Sequence, residues 1–171
     1  MSAAVSSSSG VLAGGPGAGG ETIWFNGALM DVRVPGAWSE DAFSLVEVSM
    51  QRGRATGLHV DPSHETFHVL EGELLFHADG EELPGAAGST VAMPQGVPHA
   101  FVCTSDLARF LVLNAPGGHD RFFRDGGHPA EHRDFDRAPA PDLERTAASA
   151  RAHGVQLLGP PPFDGVRLRS G

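Results

Sequence analysis

Residues Gly57 to Gly72 read GLHVDPSHETFHVLEG. His59 and Asp61 are two positions apart, so on an extended strand both side chains point to the same face. Glu65 follows after a short Pro62-Ser63-His64 break, and Gly72 closes an apolar run of strand-forming residues. A second stretch, Gly88 to His99, reads GSTVAMPQGVPH and ends on another histidine. With a period of two, Glu65, Phe67 and Val69 share one face, as do His99, Phe101 and Cys103. The two stretches thus bring imidazole and carboxylate groups toward one side of a sheet.

The flanking sequence continues in the same texture. Asn26-Gly27 lies between two apolar runs and marks a hairpin or a bulge. Phe43 to Met50 alternates as a strand with one buried face. Thr66 to Phe76 reads as two strands bent at Glu71-Gly72, and Asp79-Gly80 and Pro84-Gly85 read as turns. Ser89 to Met93, His99 to Cys103 and Ala108 to Asn114 give three more strands. Many short strands broken by glycine and proline predict an antiparallel barrel or sandwich. After Pro116 the pattern changes. His119 to Arg124 forms a short helical stretch, and Pro141 to His153 (PDLERTAASARAH) is a helix with proline in its first turn and Gly154 as its cap.

The two stretches resemble the paired motifs of the cupin superfamily. His59, Glu65 and Gly72 fill the first motif, and Gly88, Pro94, Gly96 and His99 fill the second. Asp61 stands where the pattern has a second histidine, and Cys103 where it has an asparagine. The C-terminal helix followed by LLGPPP resembles quercetin-dioxygenase-like members. This implies an all-β jelly-roll (double-stranded β-helix) barrel with a C-terminal helix. We divide the chain into a disordered Ser/Gly/Ala leader over 1–20, a barrel over 21–118 and an extension over 119–171 with its helix near 141–153. No internal repeat is present, so a single barrel is expected.

Bulk properties narrow the function. A chain of 171 residues carries one core. The net charge of −9 disfavours nucleic acid, whose phosphates it would repel. A single cysteine leaves no internal disulfide, and no apolar run approaches a membrane span. The start lacks the basic and apolar regions of a signal peptide, so we expect a cytoplasmic chain. A homodimer is expected from the resemblance, with contacts near Trp24 and the C-terminal segment.

The resemblance implies one divalent metal (Fe, Mn, Ni, Co or Zn) held by His59, Glu65 and His99, with Asp61 as fourth ligand or close neighbour. Neutral imidazoles and ionised carboxylates are the binding forms. Asp61 and Glu65 are the candidate catalytic groups. Phe67, Phe76, Phe101, Cys103 and Leu111 are the expected pocket wall, with Trp24 and Met93 as further candidates. His64, His68 and His77 are placed off the ligand face, and His119, His128, His132 and His153 in solvent. Three functions follow: a metal-dependent dioxygenase acting on an aromatic or enolic small molecule, a non-oxidative isomerase, lyase or cyclase, or a barrel that binds a small molecule without turning it over.

Overall fold

The computed structural model describes residues 5–6, 10–13, 20–166 and 168. The leader expected over 1–20 falls largely outside the described residues; within it, β1 (Val5–Ser6) pairs with β2 (Leu12–Ala13). The barrel strands follow as β3 (Glu21–Phe25), β4 (Ala28–Val34), β5 (Ser44–Gln51), β6 (Leu58–Val60), β7 (His64–Glu71), β8 (Glu73–Ala78), β9 (Glu81–Ala86), β10 (Thr90–Met93), β11 (His99–Cys103) and β12 (Leu107–Ala115). The C-terminal part adds α1 (His119–Gly126), β13 (His128–Pro129), α2 (Leu143–His153) and β14 (Gln156–Gly159).

All pairings are antiparallel, and two sheets face each other as a jelly roll. One runs β10-β7-β12-β5-β4-β3-β13, the other β14-β6-β11-β8-β9. The C-terminal part therefore contributes an edge strand to each sheet. Local chemistry explains the turns. Asn26 and Gly27 both have positive φ, 49° and 79°, as a two-residue hairpin of this hand needs. Gly72 turns β7 into β8 at φ 76°, and a Cβ there would collide with the Leu107 carbonyl oxygen. Pro84-Gly85, read from sequence as a turn, instead lies inside β9. That strand is the sheet's edge, where proline's missing N–H costs no ladder bond. A Cβ on Gly85 would stand 2.9 Å from the Phe76 ring, so this position is small because a core ring packs on it.

Inside the barrel, Phe67, Phe76, Phe101 and Phe110 stack in tilted and edge-to-face pairs 5.2 to 6.3 Å apart. The outer face of the larger sheet is held differently. Asp31 is buried on β4 and is clamped by both terminal nitrogens of Arg133, at 2.7 and 2.6 Å, and by Thr22 Oγ1 at 2.8 Å. Burial alone would raise the Asp31 pKa; the Arg133 and Thr22 hydrogen bonds and the guanidinium charge outweigh it and hold the group below its ordinary value. Trp24, also buried, donates from Nε1 to the His132 carbonyl at 3.1 Å and packs edge-on to Phe135 at 5.1 Å. The chain's own C-terminal segment covers it, so it neither lines the barrel nor stands free for a partner.

We expect Arg133→Ala to cost about 2 kcal/mol at neutral pH, since it strands a buried carboxylate that held charged hydrogen bonds. Asp31 has a depressed pKa, so its contribution is present above the unfolded value near 3.9 and is lost as pH falls below it. The wild-type–variant gap in urea unfolding should therefore be narrower at about pH 3 than at neutral pH, and narrow further as pH falls through the depressed Asp31 value. A gap unchanged by this acidification would contradict the assignment.

Candidate metal centre

The register of the smaller sheet sets the two motif histidines side by side. His99 on β11 is the direct cross-strand partner of His59 on β6, and their ring centroids lie 4.4 Å apart. Each ring is oriented by its own backbone. His59 Nδ1 is 2.7 Å from the Gly57 carbonyl oxygen, and His99 Nδ1 is 2.9 Å from that of Val97. A carbonyl only accepts, so both Nδ1 atoms must donate, and in the neutral ring Nε2 then carries a lone pair.

Carboxylates face those lone pairs. Glu65 comes from β7 in the opposite sheet and places Oε2 2.7 Å from His99 Nε2. Asp61, just beyond β6, places Oδ2 3.2 Å from His59 Nε2 and 3.5 Å from His99 Nε2. Asp61 is 2% exposed, yet neither of its oxygens completes a hydrogen bond. Ligand atoms of His59, Asp61, Glu65 and His99 all lie within 4.8 Å of one another. Acceptor atoms therefore converge on a buried space with no donor between them. Such a cluster is stable only with positive charge at its centre, either protons on the imidazoles or a cation. Two carboxylates and two imidazoles suit a divalent ion, and the unsatisfied Asp61 oxygens are the clearest sign of the fit.

Electrostatics in the metal-free cluster point the same way. For His59, burial pulls toward the neutral form, but the close approach and charge of the Asp61 carboxylate and the charge of Glu65 overcome it and raise the pKa. For Asp61, burial would raise the value, and the His59 contact with the charges of His119 and His59 drives it well below the carboxylate range. The Asp61 carboxylate stays ionised and His59 is drawn toward the cationic form.

Two neighbours escaped the sequence reading. Asn114 on β12 is the cross-strand partner of Glu65, fully buried, and donates from Nδ2 to Glu65 Oε1 at 2.8 Å and to Ser63 Oγ at 3.2 Å. Strand parity alone marks it, since Ala108, Phe110 and Val112 are its buried alternates. His119, expected in solvent, is instead buried at the start of α1. Its Nε2 lies 3.7 Å from Asp61 Oδ1 and 4.0 Å from Glu65 Oε1. The hint for it was its place in PGGHDRFF, directly after the last barrel strand, where a glycine pair lets the chain fold back over the barrel mouth.

The expected pocket wall is sorted by the same parity. Phe67 lies against the site, its ring 6.4 Å from that of His99, and Phe76 and Phe101 extend the aromatic layer beneath it. Leu111 is corrected: it shares a face with half-exposed Arg109, opposite Phe110, so Phe110 fills the interior in its stead. Cys103 is buried at the far end of β11, four residues from His99, which is about 13 Å on an extended strand. Its Sγ donates to the Ser105 carbonyl at 3.2 Å, and burial pushes the thiol's pKa up, so it packs as a small apolar residue away from the centre. Met93 is buried opposite Glu65. His64 and His68 are exposed, as their parity predicted.

The chain is similar to known proteins in sequence and in fold. Residues 46–114 match the family described as the cupin domain. Over 142 residues, 81% of this chain, it is 29% identical to quercetin 2,3-dioxygenase of Bacillus subtilis (strain 168). The stretch is 42% of that protein, so the chain spans less than half the length of the curated relative it matches. Among solved structures, a putative ethanolamine utilization protein Q from Salmonella typhimurium LT2 aligns with a TM-score of 0.56 and 21% identity, covering 67% of this chain and 94% of the other. An RmlC-like cupin from Shewanella frigidimarina NCIMB 400 aligns at 0.50 and 19%, covering 59% and 88%. At these identities the structural matches speak for the fold alone. No helix among the described residues is long and apolar enough to cross a membrane.

In chelator, the wild-type protein should lose thermal stability as pH rises beyond about 6.5, the ordinary imidazole value. His59 has a raised pKa, so its contribution is complete below that value and is lost as its proton leaves. Asp61→Asn, which offers an N–H to His59 Nε2, should flatten this slope. Divalent metal at alkaline pH should raise the melting temperature of the wild type more than that of the variant. A wild-type melting temperature that climbs with pH in chelator would contradict the crowding of acceptors.

Proposed function

We propose that this chain, whose barrel is a cupin domain, is a metal-dependent enzyme that uses dioxygen on an aromatic or enolic small molecule. The observation that carries the metal half is the facing of Nε2 lone pairs and unsatisfied Asp61 oxygens across a buried gap. The similarity to a quercetin 2,3-dioxygenase supports the substrate class. His59, Glu65 and His99 hold the ion, with Asp61 beside it. When bound, the ion supplies Lewis acidity and, if it is iron, manganese, cobalt or nickel, redox chemistry as well.

The side chains divide the remaining work. Glu65 Oε1 accepts from Asn114 Nδ2 and Oε2 is turned to His99 Nε2, so Glu65 is a fixed holding group. Asp61 is oriented by no hydrogen bond and keeps a free oxygen, which suits it to accept the proton of a substrate hydroxyl. The aromatic layer of Phe67, Phe76 and Phe101 closes the barrel below and keeps water from that side. His59 is the member of the cluster nearest solvent, at 13% side-chain exposure, and marks the side of approach. The unengaged Asp61 also favours a second reading, in which the same base serves an isomerase, lyase or cyclase without dioxygen.

Elemental analysis after reconstitution should find one divalent ion per chain in the wild type and none in His99→Ala. Flavonols and other enolic aromatics should then show metal-dependent oxygen consumption. Asp61→Asn should retain some metal and lose turnover on the order of a hundredfold, the usual loss for a general base. Turnover that proceeds unchanged without oxygen would replace the dioxygenase with the second reading. Protein that stays metal-free with Fe, Mn, Ni, Co and Zn would defeat both.

A further inference from the structure

We propose that His119 is a ligand of the metal, a third imidazole delivered by α1 from outside both motifs; the proposal rests on the metal reading above. Asp61 divides its two oxygens between different partners. Oδ2 faces His59 and His99, and Oδ1 faces His119 Nε2 at 3.7 Å. The same nitrogen is 4.0 Å from Glu65 Oε1. Both separations are too long for a hydrogen bond, which for N–H···O lies near 2.9 Å. They are the right length for atoms that share a cation. Ligands about 2.1 Å from an octahedral ion stand about 3 Å apart when adjacent and about 4.2 Å when opposite. The other donor pairs, at 2.7 to 3.5 Å, fall around the shorter figure; the two His119 separations lie between the two figures, and His119 stands outside the four side chains whose ligand atoms all lie within 4.8 Å of one another, so its ring advances toward the ion to bind it.

His119 is not there by chance of a loose loop. The turn before it is built by close approach: a Cβ on Gly117 would stand 2.7 Å from the Phe43 backbone, and one on Gly36 2.6 Å from the Gly118 nitrogen. Asp120, next in sequence and buried, accepts from the Gly36 N–H at 3.2 Å, and Arg121 pairs with Asp41 at 2.9 and 3.1 Å. The imidazole itself is wedged between Phe122 and Phe123, with ring centroids 5.1 and 4.8 Å away. An aromatic pocket that holds a ring this firmly, with its polar edge aimed at two buried carboxylates, leaves that edge a cation as its natural partner. Position 61 carries no imidazole, and His119 supplies one from the opposite direction.

The test counts imidazoles on the metal. In the Co(II)-loaded full-length protein, ring N–H protons of bound histidines give hyperfine-shifted proton NMR signals. Three are expected in the wild type, and two in His119→Gln and in His119→Phe, the latter filling the aromatic pocket. Co(II) affinity, measured against a competing chelator, should fall on the order of 100-fold or more in both variants. Two shifted signals in the wild type, both retained in the variants, would overturn the role of His119 and leave the other ligands standing. Wild-type protein that binds no Co(II) would overturn the metal reading and this proposal with it.

Discussion

The structure turns on the direction of two imidazole rings. The carbonyls of Gly57 and Val97 take the Nδ1 protons of His59 and His99, and that choice turns both Nε2 lone pairs inward. Inward lone pairs would be harmless beside donors. Here they meet Asp61 and Glu65, which at neutral pH are acceptors only. The cluster carries two negative charges and, with neutral rings, nothing to offset them. A buried arrangement of this kind is unfavourable alone and favourable around a dication, whose charge the two carboxylates cancel. Stability and cation binding are therefore opposed in the free protein, as is common where side chains are held ready for a ligand.

The barrel is what keeps the acceptors from moving apart. His59 and His99 are paired by the smaller sheet's register, and Glu65 is delivered by the larger sheet. Opening the cluster would mean separating the sheets, and the Phe67, Phe76, Phe101 and Phe110 layer resists that directly beneath it. Asn114 removes the last freedom of Glu65 by holding Oε1 from a neighbouring strand. The ligand geometry thus depends on packing that begins far along the chain from the motifs.

Short-range spacing made His59, Asp61 and Glu65 legible, because they lie close to one turn, and His99 was legible from the spacing of Gly88, Pro94 and Gly96 before it, which resembles the second cupin motif. The same holds for the Asn26-Gly27 hairpin and the Gly72 turn. What was not legible required knowing which strands pair. Asn114 meets Glu65 across 49 residues through a strand with a register shift at Arg109–Phe110, and no local pattern announces that meeting. His119 needed the path of a glycine-rich turn across the barrel mouth. Leu111 could have been placed correctly: Arg109, two residues earlier, shares its face, and an arginine belongs outside an apolar barrel. Pro84-Gly85 misled because the turn signal of that pair outweighed the possibility of an edge strand, where proline is equally at home.

The part after the barrel is joined to the centre more closely than its loop-like sequence suggests. Phe25 on β3 packs edge-on against Phe122 and Phe123 of α1, and Ser149 of α2 donates to the Phe122 carbonyl at 2.8 Å. Gly126 has no room for a Cβ, which would stand 2.7 Å from the Phe25 ring and 3.2 Å from Ser149. These contacts fix α1 from behind while Asp120 and Arg121 fix it in front. His119 sits at the junction of both sets. A change anywhere along that line, even one distant from the cluster, therefore acts on the distance between His119 Nε2 and the two carboxylates. Phe25, Phe122 and Phe123 belong to the same buried core as the barrel rings, so α1 and the centre share one packed interior.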